Sequence, residues 1–191
     1  MFISFIIYTL FMSYTPGPNN LLALDGALRL GIRGTLRFLI GIGLGFLSLS
    51  FICLLFSTYV ASYFDKFIII IKVVGFIYLL YLAYSVFMHK QSDPHNHNCY
   101  RLRDGLYLQY VNPKTIVYII TAIITYITSQ TTGIFISISY TLIIALIGVS
   151  GAITWALMGL CFKRWILKYN LFYKIFMASC LVILACMMIF E

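Results

Sequence analysis

SYTPGPNNLLALDG, residues 13–26, lies inside and at the end of an apolar run that would otherwise be an ordinary membrane span. Two prolines flank a glycine, and two asparagines follow. Pro16 and Pro18 lack the amide hydrogen, and their rings clash with preceding carbonyls, so no regular helix continues through them. In hydrocarbon, backbone groups freed this way must find partners in protein, an ion or water. A broken span in a chain with no large soluble part points to a substrate site in a transporter. The competing reading is a packing kink, since Pro and Gly are common in membrane helices. Asn19 and Asn20 beside the break favour the site.

The rest of the chain has the same character. Of its 191 residues 62% are hydrophobic and 9% charged, and the mean hydropathy is +1.00. A soluble domain would carry about a quarter charged residues. The expectation is an all-α polytopic membrane protein, a single transmembrane transporter domain over 1–191. At about 20 apolar residues per span there is room for six transmembrane helices with short connections. The first apolar run has no basic start and no small-residue cleavage site, so it is expected to stay as a span. A net charge of +8 does not mark a nucleic-acid binder here, because the basic residues fall in alternate loops, as the positive-inside rule requires. The five cysteines contain no CxxC pair, so neither a metal ribbon nor a dithiol relay is suggested. With no catalytic constellation in view, the sequence gives no ground for an enzyme, a cofactor or a metal.

The spans are expected at about 2–24, 38–60, 67–88, 106–128, 134–158 and 171–190, with ends uncertain by several residues. Links one, three and five then hold Arg29, Arg33, Arg37, Lys90, Arg101, Arg103, Lys163, Arg164 and Lys168, while links two and four hold only Lys66. The odd links are therefore expected in the cytoplasm and both termini in the periplasm. Link three (89–105) is polar and carries His89, His95 and His97. Histidines so arranged in a solvated loop bind metal weakly without further ligands. This link divides the chain into halves, 1–88 and 106–191, each of three spans. An odd number per half would invert one relative to the other, as in many secondary transporters.

A second interruption, YVNPK at Tyr110–Lys114, falls about two turns into span four. Pro113 disfavours helical geometry at Asn112. Lys114 carries a charge at some depth and either faces a polar cavity or snorkels to the cytoplasmic surface. Both breaks are expected toward the cytoplasmic half of their spans, where they can face each other. Gly41 and Gly45 have the GxxxG spacing that permits close helix approach. Gly75, Gly148 and Gly151 read as further packing seams. The GxGxG at 41–45 lacks a preceding strand, so it is no dinucleotide fingerprint. Asp25, at the inner end of span one, is the carboxylate nearest the breaks. It either titrates in the transport path or balances Arg29 one helical turn away. With no carboxylate at mid-depth, export of a divalent cation is not expected.

TPGPNNLLAL followed by GIRGTLRFLIGIGLGF resembles the amino-terminal signature of the LysE/RhtB amino-acid exporters. Pro16, Gly17, Pro18 and Asn19 match its proline-glycine-proline motif, and Gly31, Gly34, Gly41 and Gly45 its glycine ladder. GFIYLLYLAY (75–84) is similar to the third span, QYVNPKTIVY (109–118) to the asparagine-proline-lysine motif, and ITWALMGLCFKRWI (153–166) to the fifth span and its basic exit. PNNLLAL and WALMG are most similar to the branch that exports cysteine and O-acetylserine.

The resemblance implies a six-span bacterial inner-membrane exporter of small amino acids, driven by the proton gradient, with the bilayer as its other partner. Lysine- and arginine-exporting members carry acidic residues inside the membrane, and this chain has none at mid-depth. A neutral substrate such as cysteine, O-acetylserine, homoserine or threonine is therefore expected; the runner-up is another small solute or ion. The amino acid's carboxylate would bind free amides at the break. Asn19, Asn20 and Asn112 would give neutral hydrogen bonds, and Tyr14 and Tyr110 would complete an amphipathic pocket. Lys114 either neutralises the carboxylate or sets the depth of its span. These features fit a monomer or an oligomer alike. Replacing Pro16 and Pro18 together with Ala is expected to preserve membrane insertion and abolish transport, since the helix would heal across its polar gap. Membrane yield beside substrate efflux checks it, and full export by the double variant would sink the site assignment.

Overall fold

Three interruptions divide the apolar helices, and each falls on a residue that removes or redirects the backbone ladder. The computed structural model describes residues 2–57, 73, 76–81, 83–84, 87, 100–129, 133–163 and 168–190. Within them run α1 (Phe2–Tyr14), α2 (Pro18–Leu55), α3 (Leu102–Val111), α4 (Pro113–Ile123), α5 (Ile134–Cys161) and α6 (Asn170–Phe190). α4 continues into a π-helical turn, Ile124–Thr128. The first interruption is Pro-Gly-Pro between α1 and α2, and the second is Asn112 before Pro113, where α3 and α4 bend by 66°.

The third interruption is Gly31, whose φ of 71° lies in the left-handed region that only glycine visits without steric cost. A Cβ on Gly26 would stand 3.0 Å from the Thr35 methyl, although nine residues of continuous helix span roughly 13 Å. The chain therefore reverses at Gly31. The first arm of α2 (18–30) leads from the first break up to this turn, and the second arm (32–55) returns. The sequence pattern placed a thirteen-residue connection at 25–37; instead helix runs up to the turn and away from it. One left-handed residue is enough for the reversal, and Arg29, Arg33 and Arg37 stay helical around it.

α1 and α4 lie antiparallel. Phe5 meets Tyr126 ring to ring at 5.6 Å, Ser13 reaches Tyr118 and Thr15 reaches Lys114. The first arm of α2 runs against α3 in the same sense, from Asn19 beside Gln109 to Asp25 beside Tyr100. The whole broken span thus runs opposite the other, with the two breaks at one level.

Glycines allow these approaches. A side chain on Gly41 would overlap the Leu102 carbonyl, one on Gly105 the Phe38 carbonyl, and one on Gly45 the Gln109 stem. On α5, Gly148 faces the Phe46 ring, Gly151 the Ser13 carbonyl and Gly159 the Leu24 carbonyl. Small residues matter here because lipid removes the hydrophobic drive between helices and leaves close packing to hold them. Polar side chains such as Thr9, Asn19, Gln109 and Thr141 are buried, whereas Ile3, Ile7, Phe135 and Leu146 are exposed. That is the distribution expected of a chain solvated by hydrocarbon.

Pro18–Leu55 and Ile134–Cys161 are long and apolar enough to cross a membrane, and Leu102–Val111 with Pro113–Thr128 forms a bent third candidate. α5 begins and α6 runs close to where spans five and six were expected, while α3 starts four residues ahead of the expected span four. Most of the expected span three lies outside the described residues, as do Gly75, Asp65, Asp93, Glu191 and the three histidines of link three. Residues Leu79 and Ala83 pack with Met177, Leu181 and Ala185 of α6 over Leu21, Leu24 and Leu28.

The close fit at Gly105 is testable. Gly105→Leu should drive α2 and α3 apart, destabilising the protein by about 1–3 kcal/mol or more. Gly133→Ala, which meets open space, should leave it unchanged. Thermal melting of the detergent-solubilised protein distinguishes the two.

Candidate functional site

Cutting a helix in hydrocarbon leaves carbonyls at its end with no amide partner. At the end of α1 these are answered by side chains from three other helices. Asn20 Nδ2 of α2 donates to the Ser13 carbonyl at 2.8 Å and the Thr15 carbonyl at 2.8 Å. Trp155 Nε1 of α5 donates to the Tyr14 carbonyl at 3.0 Å. Lys114 Nζ of α4 donates to the Thr15 carbonyl at 2.9 Å, the Thr15 hydroxyl at 2.8 Å and the Pro16 carbonyl at 3.1 Å. An ammonium has three donors, and all three are used. Its charge also faces the negative end of the α1 dipole. Gly17 is extended (φ −173°), so its glycine answers a need for room. A Cβ there would lie 2.9 Å from Lys114 Cδ.

The second break is capped from within. Asn112 Oδ1 accepts the Lys114 amide at 3.1 Å, and Pro113 occupies the first turn of α4, where a missing N–H costs nothing. The remaining amide chemistry joins the two breaks. Asn112 Nδ2 donates to Asn19 Oδ1 at 3.0 Å, and Gln109 Nε2 donates to the same oxygen at 3.2 Å and to the Gly105 carbonyl at 3.0 Å. Asn19 Nδ2 returns bonds to Gln109 Oε1 at 2.7 Å and Thr115 Oγ1 at 3.2 Å. Asn19 thereby uses both donors and both lone pairs, in a neutral network that is buried throughout. Polar groups in low dielectric are costly unless satisfied this fully.

Between the breaks is a cavity of about 20 Å³, lined by Ser13, Gly17, Asn19, Asn20, Asn112, Lys114 and Thr115, with Met12, Phe46, Tyr118 and Gly148. It has room for water but not for a larger solute. Among the described residues no side chain caps the amide end of α2 at Gly17, and Gly17, Asn19 and Asn20 line the cavity there. Phe46 and Tyr118 close it toward an aromatic layer in which Tyr8 meets Tyr118 and Tyr126, and Phe5 meets Tyr126 and Tyr140, in tilted and edge-on contacts.

The structure brings together Pro16, Gly17, Pro18, Asn19, Asn20, Asn112, Pro113 and Lys114. Asp25 stands apart, about 10 Å along the helix from Pro18. It accepts from Arg29 Nε at 2.7 Å and from the Tyr100 hydroxyl at 2.5 Å. The Tyr14 hydroxyl meets Ser150 at 3.1 Å and the Tyr110 hydroxyl meets Ser48 at 2.7 Å, both on exposed flanks. Neither ring lines the cavity, and Tyr14 takes part through its carbonyl. Sequence reasoning passed over Gln109, Thr115, Thr15 and Trp155. Gln109 did carry a signal, a polar amide in an apolar run one turn before the Asn-Pro break.

Over residues 10–191 the chain matches the family described as LysE type translocator. It is 36% identical over 183 residues to the cysteine/O-acetylserine efflux protein of Salmonella choleraesuis, covering 94% of this chain and 92% of that protein. To the protein of the same name from Klebsiella pneumoniae it is 33% identical over 189 residues, covering 98% and 96%. For that of Escherichia coli K12 the figure is 32% over 190 residues, covering 94% and 92%. No solved structure matches the chain.

Asn19→Leu strips partners from Gln109 and Asn112 at once. At about 1–3 kcal/mol per buried group left unpaired, it should lower the melting temperature far more than Asp25→Asn. The latter disturbs a part-exposed pair worth about 1 kcal/mol or less.

Proposed function

This chain belongs to the LysE type translocator family and is an amino-acid exporter rather than an enzyme; we propose that its cargo is a small neutral amino acid of the cysteine and O-acetylserine kind. The observation that carries this reading is the chemistry of the two breaks. They offer neutral amides, hydroxyls, backbone groups and the Lys114 ammonium, and the described lining residues include no carboxylate. A cationic side chain would be buried there unpaired, at a cost of several kcal/mol. Asp25 does not relieve it, being held by Arg29 and Tyr100. The uncapped amide end of α2 suits the carboxylate of the cargo, as helix N-termini suit anions generally. Asn19, Asn20 and Asn112 are the neutral partners beside it, Asn19 by exchanging bonds that it now makes to Gln109, Asn112 and Thr115.

The site works in a six-span unit covering 1–191, in the inner membrane, with both termini in the periplasm and the proton gradient as driving force. Gathering of Arg29, Arg33, Arg37, Arg101 and Arg103 at the Gly31 end supports the cytoplasmic assignment of that end. The antiparallel course of the two broken spans supports inverted halves. Because the cavity is smaller than an amino acid, loading requires α1 and the first arm of α2 to part from α4.

Radiolabelled cysteine, O-acetylserine, threonine and lysine are preloaded into cells with and without the protein, and their loss is followed with the proton gradient intact or collapsed. Expression- and gradient-dependent loss of cysteine or O-acetylserine, with lysine retained, is expected. Loss of lysine alone would overturn the neutral-cargo reading, and loss of none of the four would move the cargo to another solute.

A further inference from the structure

We propose that the Lys114 ammonium is a tethered stand-in for the α-ammonium of the cargo, and that exchanging one for the other couples export to proton entry. This rests on the amino-acid export proposed above. The carbonyl end of α1 is built as a receptor for one primary ammonium: the Thr15 carbonyl, the Thr15 hydroxyl and the Pro16 carbonyl lie 2.8–3.1 Å from a nitrogen with three N–H donors. Nothing in that receptor is particular to a lysine side chain. An amino acid presents the same –NH3+ group on an sp3 carbon. Two residues past Pro16 the amide end of α2 begins, so one short zwitterion can place its ammonium on the first half-helix and its carboxylate on the second. Half-helix C-terminal ends and unwound carbonyls are the groups that receive cations in transporters of this construction.

Two cations cannot share three oxygens. For cargo to bind, Lys114 must leave, and a buried lysine leaves most readily as a neutral amine. Lysine can lose its proton in a protein interior, whereas arginine does not. The balance of one cycle is then simple. The ammonium gives one proton to cytoplasmic water, the N–H···O bonds to Thr15 and Pro16 break, and the cargo's ammonium forms their equivalents. After release to the periplasm the amine takes one proton from that side and docks again. One amino acid leaves for each proton that enters, and no other ion is needed.

The surroundings leave Lys114 alone in this task. From the break it is faced by Thr15, Pro16 and Gly17, from α2 by Asn19 and Asn20, and from α3 and α4 by Asn112, Thr115 and Tyr118. α5 contributes Gly148. Among these described residues Tyr118 is the other titratable group, and its hydroxyl accepts from Ser13. Asp25 and Arg29 neutralise each other at the far end of the arm. Of the two readings of Asp25, a titrating carboxylate in the path or a partner for Arg29, the structure has the pair with Arg29. The geometry offers an amine instead.

Protein reconstituted in liposomes separates the steps. Wild type should show exchange of O-acetylserine across the membrane without a gradient and net efflux with one. Its apparent affinity in exchange should rise with pH, because cargo competes with the proton on Lys114. In Lys114→Met the exchange that remains should no longer depend on pH, and gradient-driven efflux should fall by about tenfold or more relative to that exchange. Lys114→Arg, which cannot vacate the receptor, should lose both. A folded Lys114→Met whose exchange keeps the wild-type pH dependence, or one that keeps gradient-driven efflux, overturns the proposal. Should Lys114→Met fail to reach the membrane or show no exchange, proton release on adding O-acetylserine to unbuffered wild-type protein decides the matter: release supports the proposal and no release overturns it. Wild type that exchanges no neutral amino acid fails at the earlier step and removes the export reading as well.

Discussion

A helix cut inside hydrocarbon has to have its carbonyls answered, and the architecture around the end of α1 follows from that demand. Thr15 N still bonds back to Phe11, and Leu21 N picks up the Gly17 carbonyl at the start of the next helix. The carbonyls between, at Ser13, Tyr14, Thr15 and Pro16, belong to no ladder. Asn20, Trp155 and Lys114 supply their donors. Each donor comes from a different helix, so one local defect fixes the relative register of α1, α2, α4 and α5. Gly17 and Gly151 are glycines for the same reason: side chains there would occupy the approach of Lys114 and of α5 to the cut end.

The second break depends on the first. Asn112 caps its own helix with one side-chain atom and reaches Asn19 with the other, so the amide that ends α3 also ties the two spans together. Gln109 adds a further bond and is itself seated by the absence of a side chain at Gly45. Lipid offers these groups no alternative partners. The neutral network therefore holds two half-helix ends at one level.

Much of this was legible because proline and glycine act through covalent geometry, which does not wait for tertiary structure. Pro-Gly-Pro and Asn-Pro mark breaks in any context, and Gly41 and Gly45 have the spacing of a close crossing. Other features depend on register, which a single chain does not display. Trp155 looked like part of an apolar span until α5 was set against Tyr14. Gln109 acquires its role only when Asn19 stands opposite. Asp25 was placed near the site by depth alone, but helical rise carries it about two turns away and Arg29 takes it up. At 25–37 the density of arginines suggested a solvated loop, yet a basic helix end is equally well solvated. The single φ of Gly31 made the longer connection unnecessary.

A reversal that occupies one residue has no slack. The two arms of α2 are hinged like the legs of a pair of tweezers, and neither can slide along its axis without dragging the other. The second arm is in turn pinned to α3 where Gly41 and Gly105 bring backbone against backbone. What remains available to the first arm is rotation about Gly31, largest at its far tip, where Pro18, Asn19 and Asn20 lie. Any parting of the first arm from its neighbours about that hinge is therefore widest at the break.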